Sequence, residues 1–82
     1  MPKRTSRKAP LMRISQAAAA AGVKRQTVEY YCLLGLVRPI RLPRRRGRYF
    51  DAALVKRIAL IRNLNASGYT LGAIRETYLR KR

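Results

Sequence analysis

Residues 17–36 read AAAAAGVKRQTVEYYCLLGL, and no other stretch limits the fold as tightly. Alanine is the best helix former, so Ala17–Ala21 propagates a helix that Gly22 can end in the left-handed conformation. Ser15 is placed to cap that helix, over Gln16 to about Ala21. An alanine helix is thin, which lets a neighbour pack closely. After the Gly22-Val23 turn, a second helix is expected from Lys24 or Arg25 to Leu34, closed by Gly35, although lysine is a poor N-cap. A short helix, a tight turn and a second helix form a helix-turn-helix, a layout whose second helix enters the major groove of DNA.

At 100° per residue the second helix has two faces. Thr27, Val28, Tyr31 and Leu34 form a core face with Cys32 at its margin. Arg25, Gln26, Glu29, Tyr30 and Leu33 fall on the other side. A guanidinium, an amide, a carboxylate and a phenol on one face can read base edges and hold phosphate, and they also fit an ordinary solvated surface. Position favours the first reading, because Arg25 and Gln26 sit at the helix N-terminus, the end a helix-turn-helix points toward the bases.

Composition agrees. The 82 residues allow one small domain, and 20 Lys and Arg against three acids, Glu29, Asp51 and Glu76, give a net charge of +17. Such a surface matches nucleic acid or an anionic membrane. With no histidine, Cys32 lacks an imidazole to activate it, and the scattered acids form no carboxylate pair, so no enzyme is expected. One cysteine makes neither an internal disulfide nor a zinc cluster, and no metal or other cofactor is expected. No stretch approaches the roughly 18 apolar residues of a membrane span, and no membrane partner is expected. The expected location is the cytoplasm, on the nucleoid.

Residues 1–11 carry Lys3, Arg4, Arg7 and Lys8 with almost nothing to bury, and read as a flexible basic arm. Residues 12–82 form the folded domain. Within it, Val37–Leu42 is at most an edge strand, Pro43–Gly47 carries turn signals, and Arg48-Tyr49-Phe50 can return as a second strand, making a small hairpin or wing. Six arginines lie between Arg38 and Arg48. Like charges so close repel, so stability does not explain them, whereas phosphates beside a duplex would. An RNA-binding or nuclear-import segment has similar composition. Asp51 then caps a third helix, Ala52 to about Ser67, ended by Gly68. Leu54, Val55, Ile58, Ile61 and Leu64 form its apolar stripe, with Lys56, Arg57 and Arg62 on or near the wet side. Thr70 caps a last helix from Leu71 toward Arg80, with Leu71, Ile74 and Tyr78 inward.

These pieces resemble the MerR-type DNA-binding domain. That pattern has an isoleucine opening (Ile14), an Ala-x-x-x-Gly-Val turn (Ala18, Gly22-Val23) and a Thr-aliphatic-x-Tyr-Tyr helix (Thr27-Val28-Glu29-Tyr30-Tyr31). It continues with a Gly-Leu exit (Gly35-Leu36), a wing (Gly47-Arg48-Tyr49-Phe50) and a Gly-aromatic-x-Leu-x-x-Ile helix pair (Gly68-Tyr69-Thr70-Leu71-Gly72-Ala73-Ile74). The match runs over about residues 12 to 78, in order and at matching spacing. It implies a mainly α fold: a four-helix winged helix-turn-helix with a short two-stranded β-hairpin wing, the second helix in the major groove and the wing on the flanking backbone.

The resemblance implies phosphate contacts for Tyr30, Arg48 and Tyr49, and base-reading or backbone roles for Lys24, Arg25 and Gln26. The remaining wing arginines, Arg44, Arg45 and Arg46, are expected on the backbone with the arm. Where the family usually has arginine before the tyrosine pair and glutamate after it, this chain has Glu29 and Cys32. Phosphate repels a carboxylate on such a face, so Glu29 must pair with Arg25 at i,i+4 or accept from a cytosine amino group, the latter slightly favoured. Full-length relatives continue into a dimerising helix and a ligand-sensing domain. This chain stops before both, and no small-molecule effector pocket is expected. It is either an excised domain or a complete small protein resembling phage excisionases and small developmental regulators, which bind side by side on repeated sites. The expected function is sequence-specific binding of double-stranded DNA, as a small bacterial or phage transcriptional regulator with self-association on DNA. An architectural, DNA-bending excisionase and an RNA-binding, ribosome-associated protein are the alternatives.

Overall fold

The computed structural model describes residues 10–79, with side chains through Thr77. The arm residues Lys3, Arg4, Arg7 and Lys8, and the inward placement expected of Tyr78, lie outside the described residues. Helix α1 spans Ile14–Ala21, α2 Arg25–Leu33, α3 Ala52–Ala66 and α4 Leu71–Ile74, the last continuing as a π-helical turn over Arg75–Leu79.

Helix α1 starts two residues before the expected Gln16, and Ser15 is not its cap. Arg13 takes the N-cap position, and the Gln16 side-chain oxygen accepts the Arg13 N–H at 3.0 Å. The reason is burial: starting at Ile14 turns that side chain into the core beside Ala17, Ala18 and Ala21. Those three alanines are at most 6% exposed while Ala19 and Ala20 face water, so the thin face is the one against which α2 and α3 pack. Gly22 has φ of 78°, a conformation that strains any side chain, and ends the helix as expected. Its N–H donates to the Ala19 carbonyl and that of Val23 to Ala18, which satisfies two otherwise open acceptors. The same pair of bonds closes α2, from Gly35 to Cys32 and from Leu36 to Tyr31.

Asp51 caps α3 as expected, its Oδ1 accepting the Leu54 N–H at 3.0 Å, and Thr70 Oγ1 accepts from Ala73 at 3.0 Å to start α4. Ile58, Ile61 and Ile74 are fully buried, with Leu54, Val55, Leu64 and Leu71 packed around them. Arg57 sits at the margin of the wet side. It is half-buried, and its Nε donates to the Leu36 carbonyl at 2.9 Å, fastening α3 to the exit of α2.

The expected two-stranded wing is reduced to a loop closed by single antiparallel pairs. Ile40 and Tyr49 exchange both backbone bonds, at 2.8 and 3.0 Å. Toward the tip the ladder does not extend, because Gly47 has φ of 99°, outside the extended region, and the Leu42 carbonyl accepts the Arg45 N–H at 3.3 Å in a turn. Phe50 pairs on the opposite side with Met12, at 2.8 Å in both directions. The dipeptide Tyr49-Phe50 is thereby held between residue 40 and the segment entering α1.

Candidate nucleic-acid interface

Helix α2 divides as its periodicity requires. Val28 and Tyr31 are buried, with Thr27 and Leu34 half-buried beside them. Arg25, Gln26, Tyr30 and Leu33 are exposed. The adjacent tyrosines separate sharply, Tyr31 at 4% exposure and Tyr30 at 51%. Burial pushes the Tyr31 phenol above its ordinary value, opposed in part by the Arg62 charge. Lys24 holds the N-cap position without a side-chain hydrogen bond.

Glu29 is half-buried and partnered at both oxygens. Its Oε1 accepts from Arg48 Nη2 at 2.9 Å, and its Oε2 lies 3.6 Å from Arg25 Nε. The pair with Arg25 is one the sequence allows for. The bridge to Arg48 crosses 19 positions and was not foreseen, since nothing in residue order brings position 48 to α2. A shallow depression at this junction is lined by Glu29, Cys32, Leu33, Pro39, Arg41 and Arg48. Burial raises the Cys32 thiol pKa most, and Glu29 adds to the shift; the Arg48 charge and hydrogen bonding oppose it. A thiol so placed stays protonated near neutrality and is a poor nucleophile.

The wing residues do not form one set. Arg44, Arg45 and Arg46 are exposed at the loop tip, and Arg48 is half-buried against Glu29. Tyr49 is buried at 7% exposure, and its hydroxyl donates to the Arg46 carbonyl at 3.5 Å. The Arg45 guanidinium lies 6.0 Å from its ring centroid and that of Arg13 lies 5.0 Å away. Arg13 also fills the space beside position 47, where a side chain would come within 3.3 Å of its Nη1. Sequence reasoning missed Arg13 because its place at the wing depends on the Met12–Phe50 pairing.

Among the described residues no group of three or more His, Cys, Asp or Glu is placed to hold a metal ion, and no helix is long and apolar enough to cross a membrane. The MerR HTH family regulatory protein profile matches residues 12–81. The HTH-type transcriptional regulator CueR of Bacillus subtilis (strain 168) is 39% identical over 64 residues, which make up 78% of this chain and 44% of that protein. The crystal structure of the transcription regulator PbrR691 from Ralstonia metallidurans CH34, in complex with lead(II), superposes with a TM-score of 0.74 at 32% identity. That match covers 87% of this chain and 56% of the other. The chain spans about half the length of these relatives. With the helix order, the buried and exposed faces of α2 and the sequence match in agreement, the chain belongs to the MerR helix-turn-helix family, whose transcription regulators are non-enzymatic DNA-binding proteins.

Proposed function

We propose that this domain binds double-stranded DNA sequence-specifically and regulates transcription from the cytoplasm, on the nucleoid. One observation carries the reading. Helix α2 buries one side and presents Arg25, Gln26 and Tyr30 on the other, and the Glu29–Arg48 bridge holds that face beside an arginine-rich loop. Arg25 and Gln26 reach base edges and Tyr30 a phosphate. Lys24 offers no side-chain oxygen to cap α2, which leaves the Arg25 and Gln26 N–H groups to meet a phosphate oxygen, while that of Thr27 donates to the Lys24 carbonyl. Arg44, Arg45 and Arg46 grip the backbone beside the groove, joined by Lys3, Arg4, Arg7 and Lys8 of the arm. Arg48 and Tyr49 serve that grip mainly by placing the loop, and Arg13 adds a cation next to it. A second copy on an adjacent half-site completes the complex.

Discrimination then comes from α2, at about 1–3 kcal/mol for each good base contact, and salt-sensitive affinity from the loop and arm. Selection of bound duplexes from a random library tests this. The expected result is an enriched motif that is lost when Arg25 and Gln26 are both replaced by alanine. Equal affinity for structured RNA, indifferent to those changes, overturns the reading in favour of an RNA-binding protein. Bent DNA and cooperative coverage without an enriched motif overturn it in favour of an architectural role.

A further inference from the structure

Glu29 places a carboxylate in the middle of a surface built for a polyanion, yet neither of its oxygens is turned to solvent alone. One accepts from Arg48 at 2.9 Å and the other faces Arg25 at 3.6 Å. The side chains of Glu29 and Arg48 are 39% and 31% exposed, and that of Arg25 61%. Ion pairs this open to water contribute little to folding, so the placement calls for a reason other than stability.

We propose that Glu29 determines specificity without touching a base, by occupying Arg25 and Arg48 so that neither is free to grip an arbitrary phosphate. The inference rests on the DNA-binding reading above. A guanidinium has five N–H donors in a fixed fork; Glu29 accepts one from Arg48 and stands 3.6 Å from the Nε of Arg25. The remaining donors point in directions set by α2 and the loop root. A duplex in the correct register meets those donors where they stand. A duplex in any other register meets the carboxylate's repulsion without the compensating bonds, and the arginines must leave their carboxylate partner to follow the phosphates. In a chain of net charge +17 this selectivity is needed, because indiscriminate phosphate binding is otherwise the largest attraction on the surface.

The same geometry says where a substitute carboxylate belongs. Cys32 lies one turn along α2 from Glu29, lines the same depression, and is near enough to Arg48 for that arginine to lower its thiol pKa. A glutamate at position 32 would offer Arg48 a carboxylate from the next turn of the helix.

The experiment compares the full 82-residue chain, Glu29→Gln and the double variant Glu29→Gln/Cys32→Glu. Each is titrated by fluorescence anisotropy, across a series of NaCl concentrations, with a duplex selected from a random library and with a scrambled duplex of equal length. Glu29→Gln is expected to tighten scrambled-duplex binding roughly fivefold at 0.1 M salt and to steepen its salt slope by about one to two, with selected-duplex affinity changed less than about twofold. The preferred sequence stays the same. The double variant returns the scrambled-duplex affinity and slope toward wild type. Equal tightening on both duplexes overturns the proposal. So does a changed preference at one base pair with scrambled-duplex binding unaltered, which would make Glu29 a cytosine reader. Failure of Cys32→Glu to restore the slope overturns the part played by Arg48. If the wild-type chain shows no preference for any duplex over structured RNA, the DNA-binding reading itself fails, a separate result.

Discussion

The root and the tip of the arginine-rich loop are neighbours in sequence with opposite surroundings. At the root, Phe50 is fully buried, Tyr49 is buried between Arg13 and Arg45, each residue of this dipeptide is paired through its backbone, and Arg48 is bonded to Glu29. At the tip, Arg44, Arg45 and Arg46 stand in solvent, with the Arg45 N–H to Leu42 carbonyl bond of 3.3 Å holding the turn. Counting arginines alone treats Arg48 at the root and Arg44, Arg45 and Arg46 at the tip as equal. Burial and partners divide them into residues that locate the loop and residues left to meet a ligand.

The largest effect should come from the root. Phe50→Ala removes a fully buried aromatic ring from between two backbone pairings and is expected to cost about 3–5 kcal/mol, read by thermal or urea unfolding. A loss below about 1 kcal/mol would break the distinction between root and tip. Replacing Arg44, Arg45 and Arg46 together by alanine should leave unfolding unchanged. It should weaken selected and random duplexes alike, by roughly 10- to 100-fold at low salt, and flatten the salt slope by about two to three. Selective loss of the specific site would assign the tip to sequence reading instead.

Smaller changes sharpen the boundary. Arg57→Ala takes away the 2.9 Å bond to the Leu36 carbonyl just before the loop begins, and should cost about 1–2 kcal/mol of stability. Arg57→Lys recovers only part of that if the planar guanidinium matters. Arg13→Ala should flatten the salt slope on any duplex by about one, without altering the selected sequence. An unchanged slope would remove Arg13 from the interface and leave it as packing for Tyr49.

The smallest effect concerns the buried side of α2 and appears only in alkali. Cys32 and Tyr31 have pKa values raised by burial, so between each group's ordinary value and its folded value the folded state holds more protons than the unfolded chain. Stability should therefore be flat through neutrality and fall as pH rises past the ordinary values of 9.0 for Cys32 and 10.0 for Tyr31. Cys32→Ser should delay the start of the fall to the tyrosine range.

Much of this was legible in residue order because it depends on neighbours within one turn. The helix ends at Gly22, Gly35 and Gly68, the caps at Asp51 and Thr70, and the division of Tyr30 from Tyr31 follow from left-handed backbone, short polar side chains and 3.6-residue periodicity. The start of α1 was misplaced because Ser15 is a good local cap, whereas burial of Ile14 is a tertiary demand. Arg48-Tyr49-Phe50 has the strand character of a two-stranded hairpin, but pairing needs a continuous partner, and the left-handed Gly47 and the turn from Leu42 to Arg45 interrupt it.

Residue order alone specifies the helix-turn-helix pattern, the residues of its outer face and the excess of positive charge. Each follows from local propensity or simple counting, and chain folding cannot alter them. Which charges gain partners is settled by packing. Met12 against Phe50 brings Arg13 to the loop, Arg57 reaches Leu36, and Arg48 comes back across 19 positions to Glu29. These contacts depend on chain segments distant in sequence and close in space. Hydrogen bonds and close ion pairs form only within about 4 Å, so their partners are set by the packed core and cannot be read from neighbours along the chain.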